Sequence, residues 1–212
     1  MKNLILLLCL SISFVHTQKE SSDVIGAIPN QKVDKPNIKK EKNFNFRKTM
    51  WGDSIEKVKS SESGELIPET GSDMLGYSGI VAGGLEAIVG YYFIDNKLWK
   101  ARFLFIETHT SDNQYFYDYL GVWSELSEKY GKAKEADAIW SNELYKGDKN
   151  NLGFAISLGH LYNYFEWEID DTIIKLEIDG DNYKINHRLT YTSKTHKKLY
   201  EQKKKETKSS DF

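Results

Sequence analysis

The sequence predicts an α+β domain of tandem helix-plus-antiparallel-sheet units, with the helices on one face of the sheet. Three observations carry that prediction. Residues 98–106 alternate, with Trp99, Ala101, Phe103 and Phe105 on one face and Lys100 and Arg102 on the other, as a strand with one buried face requires. Residues 113–130 change period: Phe116, Tyr119, Leu120, Trp123, Leu126 and Tyr130 recur at steps of three and four, the pattern of an amphipathic helix. Residues 161–192 return to alternation between short turns, and short turns between strands mean antiparallel pairing.

The order along 43–193 is helix then strands, twice, which divides the domain into halves 43–110 and 111–193. Order is expected to begin near Phe44, Phe46 and Trp51. A short helix follows, opened by Asp53 and Glu56 at capping-box spacing, carrying Ile55 and Val58 on one face and ending near Glu62. After a loop containing Gly, Pro and Thr, residues 74–106 read as consecutive strands, turning at Ala82-Gly83-Gly84 and at Asp95-Asn96. For the long helix, Ser111 or Asp112 caps the start and Gly131 supplies a left-handed C-terminal cap. The second half then reads as strands near 153–159, 161–169, 172–178 and 183–192, with turns at Asp170-Asp171 and Asp179-Gly180. Phe165, Trp167 and Ile169 alternate with Glu166 and Glu168, and Ile174, Leu176 and Ile178 alternate with Lys175 and Glu177.

Outside the domain, composition changes. Residues 1–17 follow the order of a secretory signal peptide: Lys2, an apolar stretch from Leu4 to Val15, then polar chain from His16, with cleavage expected before Gln18. Twelve residues are too few to span a bilayer, which takes roughly 20, so the expectation is an exported chain of the periplasm, the cell envelope or the secreted fraction. The alternative is a lipid or signal anchor. Cys9, the single cysteine, is preceded by Leu8 and a short apolar run, a poor lipidation site, and removal of the signal leaves no thiol or disulfide. Residues 18–42 are polar, with two prolines, and read as a disordered linker. Residues 194–212 form a basic C-terminal tail with seven lysines, suited to an anionic surface or to the chain's own acidic body.

Charge narrows the function classes. Residues 43–193 hold 15 basic against 24 acidic side chains, a net −9, whereas a nucleic-acid-binding domain carries a basic face. Gly76, Gly79, Gly83 and Gly84 are followed by a strand pattern and no Gly-Lys-Ser or Gly-Lys-Thr, so they serve hairpins and not a phosphate loop. His109, His160 and His187 lack metal-ligand spacing, and His187 shares strand parity with Ile185, Leu189 and Tyr191, which predicts an aromatic-packed imidazole. Glu166, Glu168, Asp170, Asp171, Asp179 and Asp181 lack calcium-loop spacing, and no serine or cysteine stands in a nucleophile motif. No cofactor, metal site or catalytic residue is therefore assigned.

The remaining signal is aromatic. Tyr162 and Tyr164 have the opposite strand parity to Phe165 and Trp167. If the latter face the helices, Tyr162, Tyr164, Glu166 and Glu168 share the outward sheet face, an amphipathic patch suited to a protein partner or to carbohydrate. The alternative use of the carboxylates is an enzyme acting on envelope polysaccharide, which needs two of them in one cleft.

The segment Trp51-Gly52-Asp53-Ser54-Ile55-Glu56-Lys57-Val58, with the element order over 44–192, resembles small exported proteins of the β-lactamase-inhibitor-protein-like and outer-membrane-assembly-lipoprotein-like kind. The resemblance implies two α/β units, a sheet facing its helices on one side, a concave surface on the other, and binding to other proteins. The chain departs from the inhibitors in lacking their stabilising cysteines, and from the assembly lipoproteins in having two units and a poor lipid site.

Overall fold

A computed structural model describes residues 44–68 and 71–210; the expected signal peptide and the whole of the expected linker lie outside the described residues. The chain runs α1 (Ile55–Ser61), β1 (Glu65–Ile67), β2 (Met74–Ala82), β3 (Leu85–Ile94), β4 (Lys97–Phe105), α2 (Asp112–Tyr130), β5 (Glu135–Trp140), a 3-10 turn (Lys149–Asn151), α3 (Leu152–Ser157), β6 (Leu161–Ile169), β7 (Thr172–Asp181), β8 (Lys184–Ser193) and α4 (Lys194–Ser210). All eight strands form one antiparallel sheet in the order β1-β2-β3-β4-β8-β7-β6-β5. Each half is a meander, and the halves meet last strand against last strand, with Lys100 opposite Thr192 and Phe105 opposite His187.

Alternation places the core. Val89, Tyr91, Ala101, Phe103, Leu189, Leu176, Ile174, Phe165 and Trp167 face one side and are buried there. α2 and α3 pack over β6, β7 and β8, burying Phe116, Tyr119, Val122, Leu126, Ala155 and Ile156. Over the first half the cover is thinner: Val58 of α1, and Phe46, whose ring lies 5.0 Å from both Phe103 and Tyr191 and 5.5 Å from Tyr91. Two buried polar contacts fix the second half. Tyr119 Oη donates to Asn163 Oδ1 at 2.6 Å, and Trp167 Nε1 donates to the Gly131 carbonyl at 2.8 Å.

Several local expectations need correction. Ser54, not Asp53, caps α1, accepting from the Lys57 amide at 3.2 Å, while Asp53 accepts from the Met50 amide. The loop before β2 contains the short edge strand β1. Trp99 leaves the face of Ala101, Phe103 and Phe105, because the register between β3 and β4 shifts there: Leu98 opposes Phe93 and Lys100 opposes Tyr92, so Trp99 is an extra residue. Leu98 takes the core position, and its backbone bonds to Gly52 and Asp53, at 2.8 and 2.9 Å. Trp99 instead stacks on Tyr200 of α4, centroids 4.4 Å apart.

The expected strand at 153–159 is helix α3, and the strand that completes the second half is β5. Asp112 does not cap its own helix; its Oδ2 accepts from Ser157 Oγ of α3 at 2.7 Å, and Ser111 makes no side-chain cap bond. Gly131 has the positive φ expected, +82°, but its ψ of −161° lies outside the left-handed helical region. β7 continues through Asp179-Gly180 to Asp181, and the turn falls on Asn182-Tyr183, both at positive φ. Gly180 is needed for another reason: a Cβ there would stand 2.3 Å from the Ile156 carbonyl oxygen. The tail begins as helix α4, held by the Trp99–Tyr200 stack, an ion pair from Lys203 to Asp95, and Asp171, which accepts from the Thr195 amide at 3.0 Å and Thr195 Oγ1 at 2.8 Å.

Candidate functional site: the outward sheet face

The face turned away from α2 and α3 carries cross-strand rows fixed by register. One runs Asp137, Tyr164, Glu177, Arg188, Leu104, Ile88; the next Glu135, Glu166, Lys175, Thr190, Arg102, Gly90, Gly76; the third Glu168, Ile173, Thr192, Lys100, Tyr92, Met74. The four residues expected on this face, Tyr162, Tyr164, Glu166 and Glu168, all stand on it along β6, at alternate positions.

The tyrosines form a pair, ring centroids 5.6 Å apart and nearly parallel, and both are half-buried. Lys175 lies over them, its Nζ 4.4 Å from the Tyr164 centroid and 5.5 Å from that of Tyr162. Tyr162 Oη donates to Glu177 Oε1 at 2.7 Å, and burial together with that carboxylate raises the phenol well above its ordinary range. Burial, then the nearby Asp137 and Glu135, push Tyr164 up as well. Glu166 is raised by burial and by Glu135 directly across β5, whereas Glu168, exposed, is held down to about 2 by hydrogen bonds from Lys134 and Lys194.

Along β7 the outward charges are paired internally. Lys175 pairs with Glu177 at 3.4 Å, Arg188 pairs with Asp179, and Asn186 Nδ2 adds a bond to Asp179 Oδ1 at 2.9 Å. Lys100 and Arg102 are different: among the described residues neither has a carboxylate within ion-pair distance. Arg102 donates from Nε to Thr190 Oγ1 at 3.0 Å. Lys100 Nζ rests 4.0 Å from the Tyr92 ring centroid and 4.9 Å from that of Trp99, and burial followed by the Arg102 charge lowers its pKa to about 8. Both residues were visible as outward by parity; their lack of an acidic neighbour depends on β8 lying beside β4, which no local pattern announces.

The other candidate groups are dispersed. Asp171 caps α4, Asp179 serves Arg188, Asp181 stands opposite Lys184 at the end of the hairpin, and Asp170 takes a positive φ in the β6–β7 turn. His109 Nε2 and Asp118 Oδ2 are 2.5 Å apart beside α2. His187 is buried, as its parity predicts, stacked 4.1 Å from Phe105 and edge-on to Tyr119, and burial lowers it to about 3. Among the described residues, no three His, Cys, Asp or Glu side chains are grouped to hold a metal ion, and no helix is long and apolar enough to cross a membrane.

Comparison with known proteins adds no relative: no family model, no curated protein and no solved structure matches the chain.

Proposed function

We propose that this chain is an exported binding module, working in the cell envelope or after secretion, whose outward sheet face engages a protein partner. The observation that carries the reading is the Tyr162–Tyr164 pair on a sheet face that α2 and α3 leave open, set among alternating cations and carboxylates. Tyrosine gives large, amphipathic contact area at low cost in side-chain entropy, and mixed charge gives orientation. The scatter of carboxylates over separate turns and ion pairs favours binding over glycoside hydrolysis. The helix-then-meander plan repeated in each half supports the β-lactamase-inhibitor-protein-like reading of the fold, in which such a face is the docking surface.

The test is capture from crosslinked envelopes, with the chain from Gln18 onward as bait, followed by reconstitution with the purified partner. Tyr162→Ala/Tyr164→Ala is expected to weaken the complex by about thirtyfold, the equivalent of about 2 kcal/mol for a central tyrosine anchor, with the circular dichroism spectrum unchanged. Undiminished affinity would remove this face from the interaction. Retention of glycans and no protein would replace the reading with carbohydrate binding.

A further inference from the structure

Along β7 the outward Lys175, Glu177 and Asp179 are paired, whereas along β4 Lys100 and Arg102 have no carboxylate within ion-pair distance among the described residues. Lys100 and Arg102 are two residues apart on one strand, so both project outward, and Thr192 and Thr190 stand directly opposite them on β8. Their surroundings hold rather than neutralise them. The Tyr92 ring leans over Gly90, where a Cβ would lie 3.3 Å from Tyr92 Cε2 and Oη, and that ring supports the Lys100 ammonium; Thr190 holds Arg102 through Nε, and the two terminal guanidinium nitrogens have no hydrogen-bond partner among the described residues. Lys100 and Arg102 stand side by side on the sheet, each held by neighbours that carry no negative charge, and an incoming carboxylate is the partner the pair lacks among the described residues.

We propose that Lys100, Arg102, Thr190 and Thr192 form a carboxylate-binding site on the outward sheet face, and that its occupant is an acidic side chain of the protein partner. This rests on the protein-binding reading above and deepens it. The four side chains offer the donors a carboxylate accepts: ammonium, guanidinium and two hydroxyls. A macromolecular source fits better than a free anion because the cations are bordered by alkyl surface, Ile173, Ile88 and the exposed Leu104, which a protein segment covers while it delivers its charge. Loss of the local like-charge repulsion then belongs to the bound state alone, a source of selectivity for acidic partners.

The experiment is nuclear magnetic resonance on the full chain with labelled lysine and arginine, titrated with the peptide acetyl-Gly-Glu-Gly-Glu-Gly-amide and, separately, with its glutamine counterpart and with inorganic phosphate. The glutamate peptide is expected to give saturable shifts at Lys100 and Arg102 and to raise the Lys100 titration midpoint from about 8 toward the ordinary lysine range. Lys100→Met/Arg102→Gln should weaken peptide binding at least about tenfold, as loss of charge-assisted bonds does, with near-ultraviolet dichroism reporting an intact fold. The proposal is overturned if the shifts fall on the lysines of α4 alone, if the glutamine peptide binds as well, if the double variant binds unchanged, or if phosphate binds while the peptide is silent. A captured protein partner lost by Tyr162→Ala/Tyr164→Ala but kept by Lys100→Met/Arg102→Gln would overturn the carboxylate site and leave the protein-binding reading standing.

Discussion

Gly153 and Gly121 are both helical glycines, and replacing each with alanine should move stability in opposite directions. A Cβ on Gly153 would stand 2.3 Å from the carbonyl carbon and oxygen of Asp112 and 2.4 Å from the Asn113 nitrogen. These are backbone atoms at the start of α2, so no side chain can swing aside; α3 and α2 must separate by roughly 1 Å to restore ordinary contact. That separation strains two bonds that tie the helices, Gly153 N–H to Asn113 Oδ1 at 2.8 Å and Ser157 Oγ to Asp112 Oδ2 at 2.7 Å. Overpacking costs about 1–3 kcal/mol and each bond about 0.5–1.5 kcal/mol. Gly153→Ala should therefore destabilise by about 2–6 kcal/mol, less the few tenths that alanine returns near a helix start. Gly121, exposed in the middle of α2 with nothing within 4 Å of an added methyl, should gain about 0.5–1 kcal/mol on the same change. Urea unfolding monitored by tryptophan fluorescence reads both as shifts in midpoint at constant slope. A Gly153→Ala midpoint within about 0.5 kcal/mol of the parent would refute the close approach of α3 to α2.

Acid should act through His187. Its folded pKa of about 3 lies below the ordinary imidazole value, so between roughly pH 6.5 and 3 the unfolded chain binds a proton that the folded chain refuses. The contribution is complete above pH 6.5 and falls with pH, by about 2 kcal/mol between pH 7 and 5; His187→Phe, which keeps the ring contact with Phe105, should flatten that part of the curve, and an unchanged slope would show that another group sets it. Tyr200→Ala removes the stack on Trp99 and should loosen α4 alone, about 1 kcal/mol of local protection. Hydrogen exchange would show faster amides in α4 with β4 unchanged; uniform acceleration across the sheet would contradict a peripheral role for this helix.

The parts of the fold legible in the sequence are those where one residue pattern admits one structure. The alternation of β6 and β7 and the three-four spacing of α2 each bury a face that slips out of place if the period is misread. Leu152–Ser157 admits two structures: Leu, Phe, Ala and Ile in six residues suit a buried strand as well as a buried helix, and the choice is made by Gly153 fitting against α2. β5 did alternate, Glu135 and Asp137 against Ala136 and Ala138, but alanine is a weak strand signal and its partner β6 follows only after α3. Gly180 mimicked a turn because glycine serves both positive φ and close approach, and here only the second applies. For the candidate site, parity along β6 sufficed to group Tyr162, Tyr164, Glu166 and Glu168, whereas the isolation of Lys100 and Arg102 follows from the β4–β8 junction, a pairing between residues far apart in the chain.

That junction also orders events in time. β1 to β4 and β6 to β8 are each built from neighbours in sequence, and such hairpins form within microseconds. Joining β4 to β8 needs Lys100 to find Thr192 about ninety residues later, after the whole second half has been delivered. Until then β4 has one free edge, lined by unpaired backbone groups beside Phe103, Leu104 and Phe105, in the form that recruits strands from other molecules. β4 is the strand that waits longest for its second neighbour, so slow delivery of residues 184–193 is the condition under which this chain is most exposed to pairing with another copy of itself.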